Sequence, residues 1–360
     1  MPLCRLAGAG ALTLLLLSST VYAQSSTATG VSRAANPALS ANVLYLVGKA
    51  TRHDALDEPD ERHAADADEH GAESPGARVQ EFELRMTSFV DPHVKADLTL
   101  ATHGVSETEL EEAFVTTVGL PSNLALKAGK FLGSFGKHNP LHTHRYPFIE
   151  RPMAHETLFG EEGLNEVGAE VSWLAPTDWY TEIVAGVYNG DNPALFSGEA
   201  EEDVAFLGRV RSLVDLNDAT TFEVGASGLT GRHEELSARS NVVGADATLK
   251  WLPLEAQRHK ALTLQIEYLR GDVGGATRHG GQVVARVRVT RRWWVQGSGD
   301  WLAGDDPTVR RVRGLIAYVP TEFQALRLQY GATFSGDEDT DHRVALQYNF
   351  TIGSHPAHAY

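Results

Sequence analysis

Arg343-Val344-Ala345-Leu346-Gln347-Tyr348-Asn349-Phe350-Thr351-Ile352 alternates polar and apolar side chains with a period of two. Successive side chains of a β-strand point to opposite faces. This segment therefore offers Val, Leu, Tyr, Phe and Ile to one environment and Arg, Gln, Asn and Thr to another. Thr263-Leu264-Gln265-Ile266-Glu267-Tyr268 repeats the pattern, as does Val283-Val284-Ala285-Arg286-Val287-Arg288-Val289. From about Ala41 to Ile352 the chain consists of such segments, roughly ten residues long and closed by turn residues. About sixteen strands are predicted, near 41-50, 79-90, 94-103, 109-118, 124-131, 167-174, 180-188, 203-213, 221-229, 240-251, 261-270, 281-290, 293-302, 311-319, 322-334 and 341-352.

Connections sort into two kinds. Asp91-Pro92-His93, Gly119-Leu120-Pro121-Ser122-Asn123, Ala175-Pro176-Thr177-Asp178-Trp179, Arg291-Arg292 and Pro320-Thr321 are short. Between them lie mostly longer and polar stretches at 51-78, 132-166, 189-202, 230-239, 271-280, 303-310 and 335-340, of which 132-166 is the apolar exception. Tight turns at one end and long loops at the other are the mark of an outer-membrane barrel. The expected fold is all-β, a transmembrane antiparallel up-and-down barrel. Trp173, Trp179, Tyr180, Trp251, Trp293, Trp294 and Tyr318 stand at strand ends, most of them beside short turns, where a membrane-interface girdle belongs.

The N-terminus agrees with export. One basic residue, Arg5, precedes the apolar run Leu6 to Leu17, and Val21-Tyr22-Ala23 supplies small residues before a cut at Gln24. That run is too short to span a bilayer as a helix and reads as a cleaved signal peptide. The expected organisation is signal peptide 1-23, a short periplasmic segment 24-40, the barrel 41-352 and a tail 353-360. Cys4, the single cysteine, lies within the leader, so disulfide and thiol chemistry are excluded from the mature chain. Mean hydropathy is only -0.22, as expected when alternate strand residues avoid lipid. A formal charge of -16 argues against a nucleic-acid partner. Tyr360 ends the chain on an aromatic residue suited to the barrel-assembly machinery, although Pro356 makes the tail unusual as a strand.

Two loops carry the chemistry. Residues 51-78 hold nine carboxylates, three arginines and His53, His63 and His70. Such a loop gathers Zn²⁺ or similar ions, or is a solvated acidic surface loop, or binds the divalent ions that bridge lipopolysaccharide. The stretch 132-166, the third external loop, is too long and apolar for water and is expected to fold into the lumen as a constriction. It brings Lys137, His138, His142, His144, Arg145, Glu150 and Arg151. His142, His144 and His155, with His138 and Glu150 or Glu156 nearby, read either as a metal station or as polar lining.

Leu126-Lys127-Ala128-Gly129-Lys130-Phe131, Phe135-Gly136-Lys137-His138-Asn139, His142-Thr143-His144, Leu158-Phe159-Gly160-Glu161-Glu162-Gly163-Leu164 and Glu170-Val171-Ser172-Trp173-Leu174 resemble one bacterial family. Its members are described as zinc-regulated or TonB-dependent outer-membrane receptors, or as porin-like proteins. The first run is also similar to phosphate-selective porins. This resemblance, strongest over 109-175, implies a pore of about sixteen strands whose synthesis responds to metal limitation. TonB-dependent receptors place a folded plug ahead of a 22-stranded barrel, and residues 24-40 leave no room for one.

Alternation turns Arg85, Lys127, Arg209, Arg211, Arg286, Arg288, Arg327 and Arg343 inward. Glu81, Glu83, Glu170, Glu182, Glu223, Glu267 and Asp300 join them. Opposed charges across a lumen make a transverse field that sieves polar solutes. No Gly-x-Ser-x-Gly, phosphate-cradling loop or His-Glu-x-x-His occurs, which argues against an enzyme. The expectation is a passive or weakly selective channel for small solutes or ions in a Gram-negative outer membrane. No resident cofactor is expected, with Zn²⁺ as a ligand or cargo in the metal-uptake alternative and a homotrimer as one assembly. A structural or adhesive barrel with a plugged lumen is the third reading.

Overall fold

Each predicted strand forms. The computed structural model describes residues 37-51, 76-104, 108-196, 204-233, 238-256, 259-304, 307-336 and 339-353. The leader, most of the N-terminal segment, His53, His63 and His70, and residues 354-360 lie outside the described residues.

Sixteen antiparallel strands close into a barrel in sequence order. They are β1 (Ala38–Ala50), β2 (Ala77–Asp91), β3 (Val94–His103), β4 (Thr108–Thr117), β5 (Leu124–Leu132), β6 (Asn165–Leu174), β7 (Tyr180–Tyr188) and β8 (Ala205–Asn217). The second half comprises β9 (Thr220–His233), β10 (Ala238–Trp251), β11 (Ala261–Val273), β12 (Ala276–Arg288), β13 (Trp293–Ala303), β14 (Val309–Thr321), β15 (Gln324–Ser335) and β16 (Asp341–Gly353). The seam is β1 against β16, from Ser40↔Gly353 to Ala50↔Arg343. Every strand has a neighbour on both sides, so closure removes the free edge strands that lipid would not tolerate, and the shortest pairing is β4 with β5, from Ala113↔Lys130 to Thr116↔Lys127.

Alternation assigns the two faces. In β11, Thr263, Gln265 and Glu267 are buried, while Leu264, Ile266 and Tyr268 are exposed on the outside. β16 does the same, with Gln347, Asn349 and Thr351 inward and Leu346, Tyr348 and Ile352 outward. An outer wall of large apolar side chains around a polar interior is stable only where lipid covers it.

Two expectations need correcting. The loop asymmetry is weaker than the sequence suggested: β11 and β12 continue through 271-280 and turn at Gly274-Gly275, both with positive φ. Conversely, 252-260 makes a longer connection at the short-turn end. Glycine pairs accept the left-handed backbone of a tight hairpin, so two residues suffice where a polar loop was expected. The girdle loses one member. Trp173, Trp179, Tyr180, Trp251 and Trp293 are exposed outside, but Trp294 faces inward and is 4% exposed. Strand parity forces adjacent Trp293 and Trp294 to opposite faces, and Arg288 lies over the Trp294 ring at 4.3 Å.

Candidate functional site

The connection between β5 and β6, residues 133-164, crosses the interior. Its hydrogen bonds reach inward-facing side chains on opposite walls of the closed barrel, so the loop lies in the lumen. Near its start the Ser134 N–H donates to Glu170 of β6 at 2.8 Å and the Gly136 N–H to Ser227 of β9 at 3.1 Å. The Lys137 N–H donates to Glu267 of β11 at 2.7 Å. Gly136 has φ +60, and a Cβ there would stand 2.1 Å from Glu267 Oε1. The Gly in Phe135-Gly136-Lys137 thus lets the backbone approach that carboxylate.

Apolar packing explains why this loop is not in water. Phe135, Leu158, Phe159 and Leu164 pack with Leu195 and Phe196 of the β7–β8 connection against Tyr188, Leu207, Leu229, Val242 and Leu269. Phe135 and Phe159 meet edge to face at 5.1 Å. One short helix, α1 (Met153–Phe159), lies here and buries Met153, Ala154, His155, Leu158 and Phe159. The loop therefore has its own core inside the barrel, against β7 to β11.

Polar groups fasten the opposite side. Arg327 of β15 donates to the carbonyls of Tyr146 and Pro147 at 2.9 and 2.7 Å. Arg313 and Arg311 of β14 donate to the carbonyls of Glu150 and Arg151 at 3.0 and 2.7 Å. The Ile149 N–H donates to Gln329 at 2.9 Å. Three guanidinium groups thus hold four carbonyls of one short segment, with Asp300 of β13 balancing Arg311 and Arg313 at 2.9 and 2.8 Å. Burial would push the Glu150 carboxyl up, but Arg311, Arg313 and Arg343 outweigh it and hold it below the ordinary value of 4.5.

The third anchorage is the His-Glu wall of β2 and β4. His142 lies 3.1 Å from Glu111, 3.0 Å from Glu112 and 3.3 Å from Glu83. His144 lies 3.1 Å from Glu83, and the two imidazoles stack at 5.8 Å. Adjacent Glu111 and Glu112 should face opposite ways on a regular strand. The β3–β4 register shifts between Thr99 and Leu100, pairing Thr99 with Glu112 and Leu100 with Leu110. Glu111 is the extra residue of this bulge, which re-aims its side chain. Alternation could not have found it.

The expected four-histidine station divides into two. His155 faces Glu267 of β11 at 3.2 Å, and His138 packs against it at 5.1 Å and against Tyr146 at 4.5 Å. Only His142 and His144 meet the β2–β4 carboxylates, while Glu150 serves the arginines of β14 and β16. Burial pushes the His138 imidazole well below its usual range, with the His155, Arg151 and Arg313 charges adding to it.

All nine residues expected to line the pore occupy inward positions, but they do different work. Arg209 is sealed by Asp246 and Ser227 at 2.9 and 2.7 Å, while Glu267 and Arg327 anchor the loop. Arg85 pairs with Asp97 at 2.8 Å and Arg211 with Glu182 at 2.5 Å. Arg343 stands 3.6 Å from Glu150. The Lys127 ammonium lies over the rings of Phe114 and Phe131, at 4.2 and 4.1 Å. Lys137 pairs with Glu223, and the Arg151 guanidinium lies over Tyr146 at 5.3 Å. Arg286 and Arg145 line a cavity of about 140 Å³ with Lys137, Leu141 and His144. A larger cavity of about 560 Å³ shares Lys137, Leu141 and Arg145 with it and extends past Lys127, Arg209 and Arg211. Thr116, Ala125 and Ser172 place this larger space toward the short-turn end. Basic side chains outnumber the two carboxylates, Glu170 and Glu182, that border it.

A closed sixteen-strand barrel with an apolar exterior, a polar interior and an inward-folded third loop is of the outer-membrane porin class in architecture. Its place is the outer membrane of a Gram-negative bacterium, where such barrels find the lipid their outer wall requires. No protein-family model matches the chain. It is 27% identical over 349 aligned residues, 83% of this chain and 73% of the relative, to an uncharacterized protein of Aquifex aeolicus (strain VF5). Solved structures similar in fold include OprB of Pseudomonas putida, with TM-score 0.60 and 9% identity over 88% of this chain and 94% of that one. The in-vitro folded outer membrane protein OmpT of Vibrio cholerae gives 0.56 and 7%, over 88% and 97%. An anion-selective porin from Comamonas acidovorans gives 0.53 and 11%, over 88% and 98%.

Proposed function

We propose that this barrel is a passive, weakly selective channel for small solutes or ions, with a preference for anions. The observation that carries this reading is the cavity beside the lumenal loop, bordered by Lys127, Lys137, Arg145, Arg209 and Arg211 against Glu170 and Glu182. Asp246, Glu223 and Glu182 balance Arg209, Lys137 and Arg211, so the positive balance of this border rests on Lys127 and Arg145 against Glu170, and in a low-dielectric wall it raises the local anion concentration. An anchored loop narrows the passage without needing an energising partner. Reconstitution in planar bilayers tests the proposal. Discrete conductance steps with a reversal potential favouring anions are expected; a correctly inserted barrel that never conducts, or one that prefers cations, refutes it. A homotrimer is the assembly we propose, as in the trimer form of the Vibrio cholerae protein; a monomeric mass in mild detergent would remove it. The His-Glu wall of β2 and β4 supports a second reading, uptake of a transition-metal ion.

A further inference from the structure

We infer that His142 and His144 of the lumenal loop, with Glu81 and Glu83 of β2 and Glu111 of β4, form a site for a divalent transition-metal ion such as Zn²⁺ that ties the loop to the barrel wall. This goes beyond conduction, and a metal could bind whether or not the barrel conducts.

The geometry comes first. Among the described residues, two groups bring three or more such donors within 4.8 Å of one another: Glu81, Glu83 and His144, and Glu83, Glu111 and His142. They share Glu83. Three donor separations are already short: His142 to Glu111 at 3.1 Å, His142 to Glu83 at 3.3 Å and His144 to Glu83 at 3.1 Å. Donors about 2.1 Å from a tetrahedral zinc ion stand roughly 3.4 Å apart, so these edges are already of the right length.

A second observation points to a cation. Glu81 is 1% exposed, and among the described residues the Thr143 hydroxyl of the loop is its hydrogen-bond partner, without a bond of full geometry to either oxygen. Its nearest ion-pair candidate, His103, is 3.8 Å away and more than half exposed. Glu81, Glu83, Glu111 and Glu112 crowd two imidazoles. A buried carboxylate that meets only a hydroxyl and a distant imidazole is costly, and a divalent ion supplies both charge and ligation. Two imidazoles among carboxylates favour zinc-like ions over calcium or magnesium, which take oxygen ligands. The ligands come from two wall strands and the loop, so the ion would act as a clasp between them.

Zn²⁺ titration of the refolded full chain in detergent micelles, followed by calorimetry, tests the site without requiring conduction. Folding is checked by heat-modifiable gel migration, and Co²⁺ absorption reports nitrogen and oxygen ligation. Expected are about one tight ion per barrel and a loss of affinity on the order of 100-fold in the His142→Ala/His144→Ala variant. The near-isosteric Glu81→Gln should weaken binding at least about tenfold in a normally folded barrel. His155→Ala and the triple change His53→Ala/His63→Ala/His70→Ala should leave the tight ion in place. The inference is overturned if the wild type binds no Zn²⁺, or if binding survives in His142→Ala/His144→Ala. Loss in the triple variant instead, no effect of Glu81→Gln, or equal competition by Ca²⁺ would overturn it too.

Discussion

Replacing Arg327 by Met tests whether the lumenal loop is held by its carbonyl contacts. The guanidinium is 2% exposed and donates three hydrogen bonds, to the carbonyls of Tyr146 and Pro147 and to Gln347. Met keeps much of the length and all of the apolar packing but none of the donors. Hydrogen bonds to charged groups contribute about 1.5–3 kcal/mol each. Two of the three bonds join loop to wall, so the lower figure predicts a loss of about 3 kcal/mol in loop anchorage, or roughly a hundredfold in the open population. The sixteen-strand ladder is untouched, so global unfolding should barely move. Gln329 and Arg313 still hold Ile149 and Glu150, which confines the release to about residues 143-148. Hydrogen exchange by mass spectrometry should show that segment losing protection by about two orders of magnitude. Single-channel records should show larger, noisier conductance. Arg327→Lys keeps the charge but has no second nitrogen to hold Gln347 while the first holds both carbonyls, and should fall between. Protection within threefold of wild type, together with unchanged conductance, would refute the idea that these bonds set the constriction.

Other perturbations address separate parts of the design. Gly136→Ala forces a left-handed residue and drives a methyl group into Glu267; a cost of about 1–2 kcal/mol from backbone alone should appear as faster exchange at 134-138. Phe135→Ala empties the loop core, where the ring is fully buried against Phe159; about 3–5 kcal/mol should be lost, read as protease cleavage within 133-164 of an otherwise intact barrel. Glu150 has a folded pKa depressed below 4.5, so its anchorage is fully present above that value and disappears only as pH falls through the lower folded pKa. An acid-induced rise in conductance should therefore begin below pH 4.5 and be absent in Glu150→Gln; an onset near neutrality would contradict the assignment. Arg145→Glu, on the border shared by both cavities, should shift the reversal potential toward cations without altering folding.

Most of the barrel was legible in the sequence because each strand must satisfy lipid on one side and polar interior on the other. That requirement writes a period of two into segments such as 261-270 and 341-352, whatever their neighbours are. Loop lengths were less legible: at 271-280 the strands continue because Gly274 and Gly275 can make the turn alone. The parity that turns the charged residues inward also separates Trp293 from Trp294 and puts Trp294 in the lumen. The histidines were visible as residues, yet not as partners. His142 and His144 share a wall with Glu83, and His155 belongs to Glu267, because the loop folds around a core that no local pattern announces.

Sequence by itself determined the class of fold and the apolar character of the third external loop. Both follow from local hydrophobicity, and neither needs a partner strand to be known. Tertiary structure decided what the inward-pointing charges do. Arg327 and Glu267 could have faced water, but the loop covers them and turns them into its anchors. Glu111 reached His142 only because a bulge in β4 shifted the register by one residue. Partnership across a lumen depends on closure, register and loop packing together, and those quantities exist only once sixteen distant segments have met.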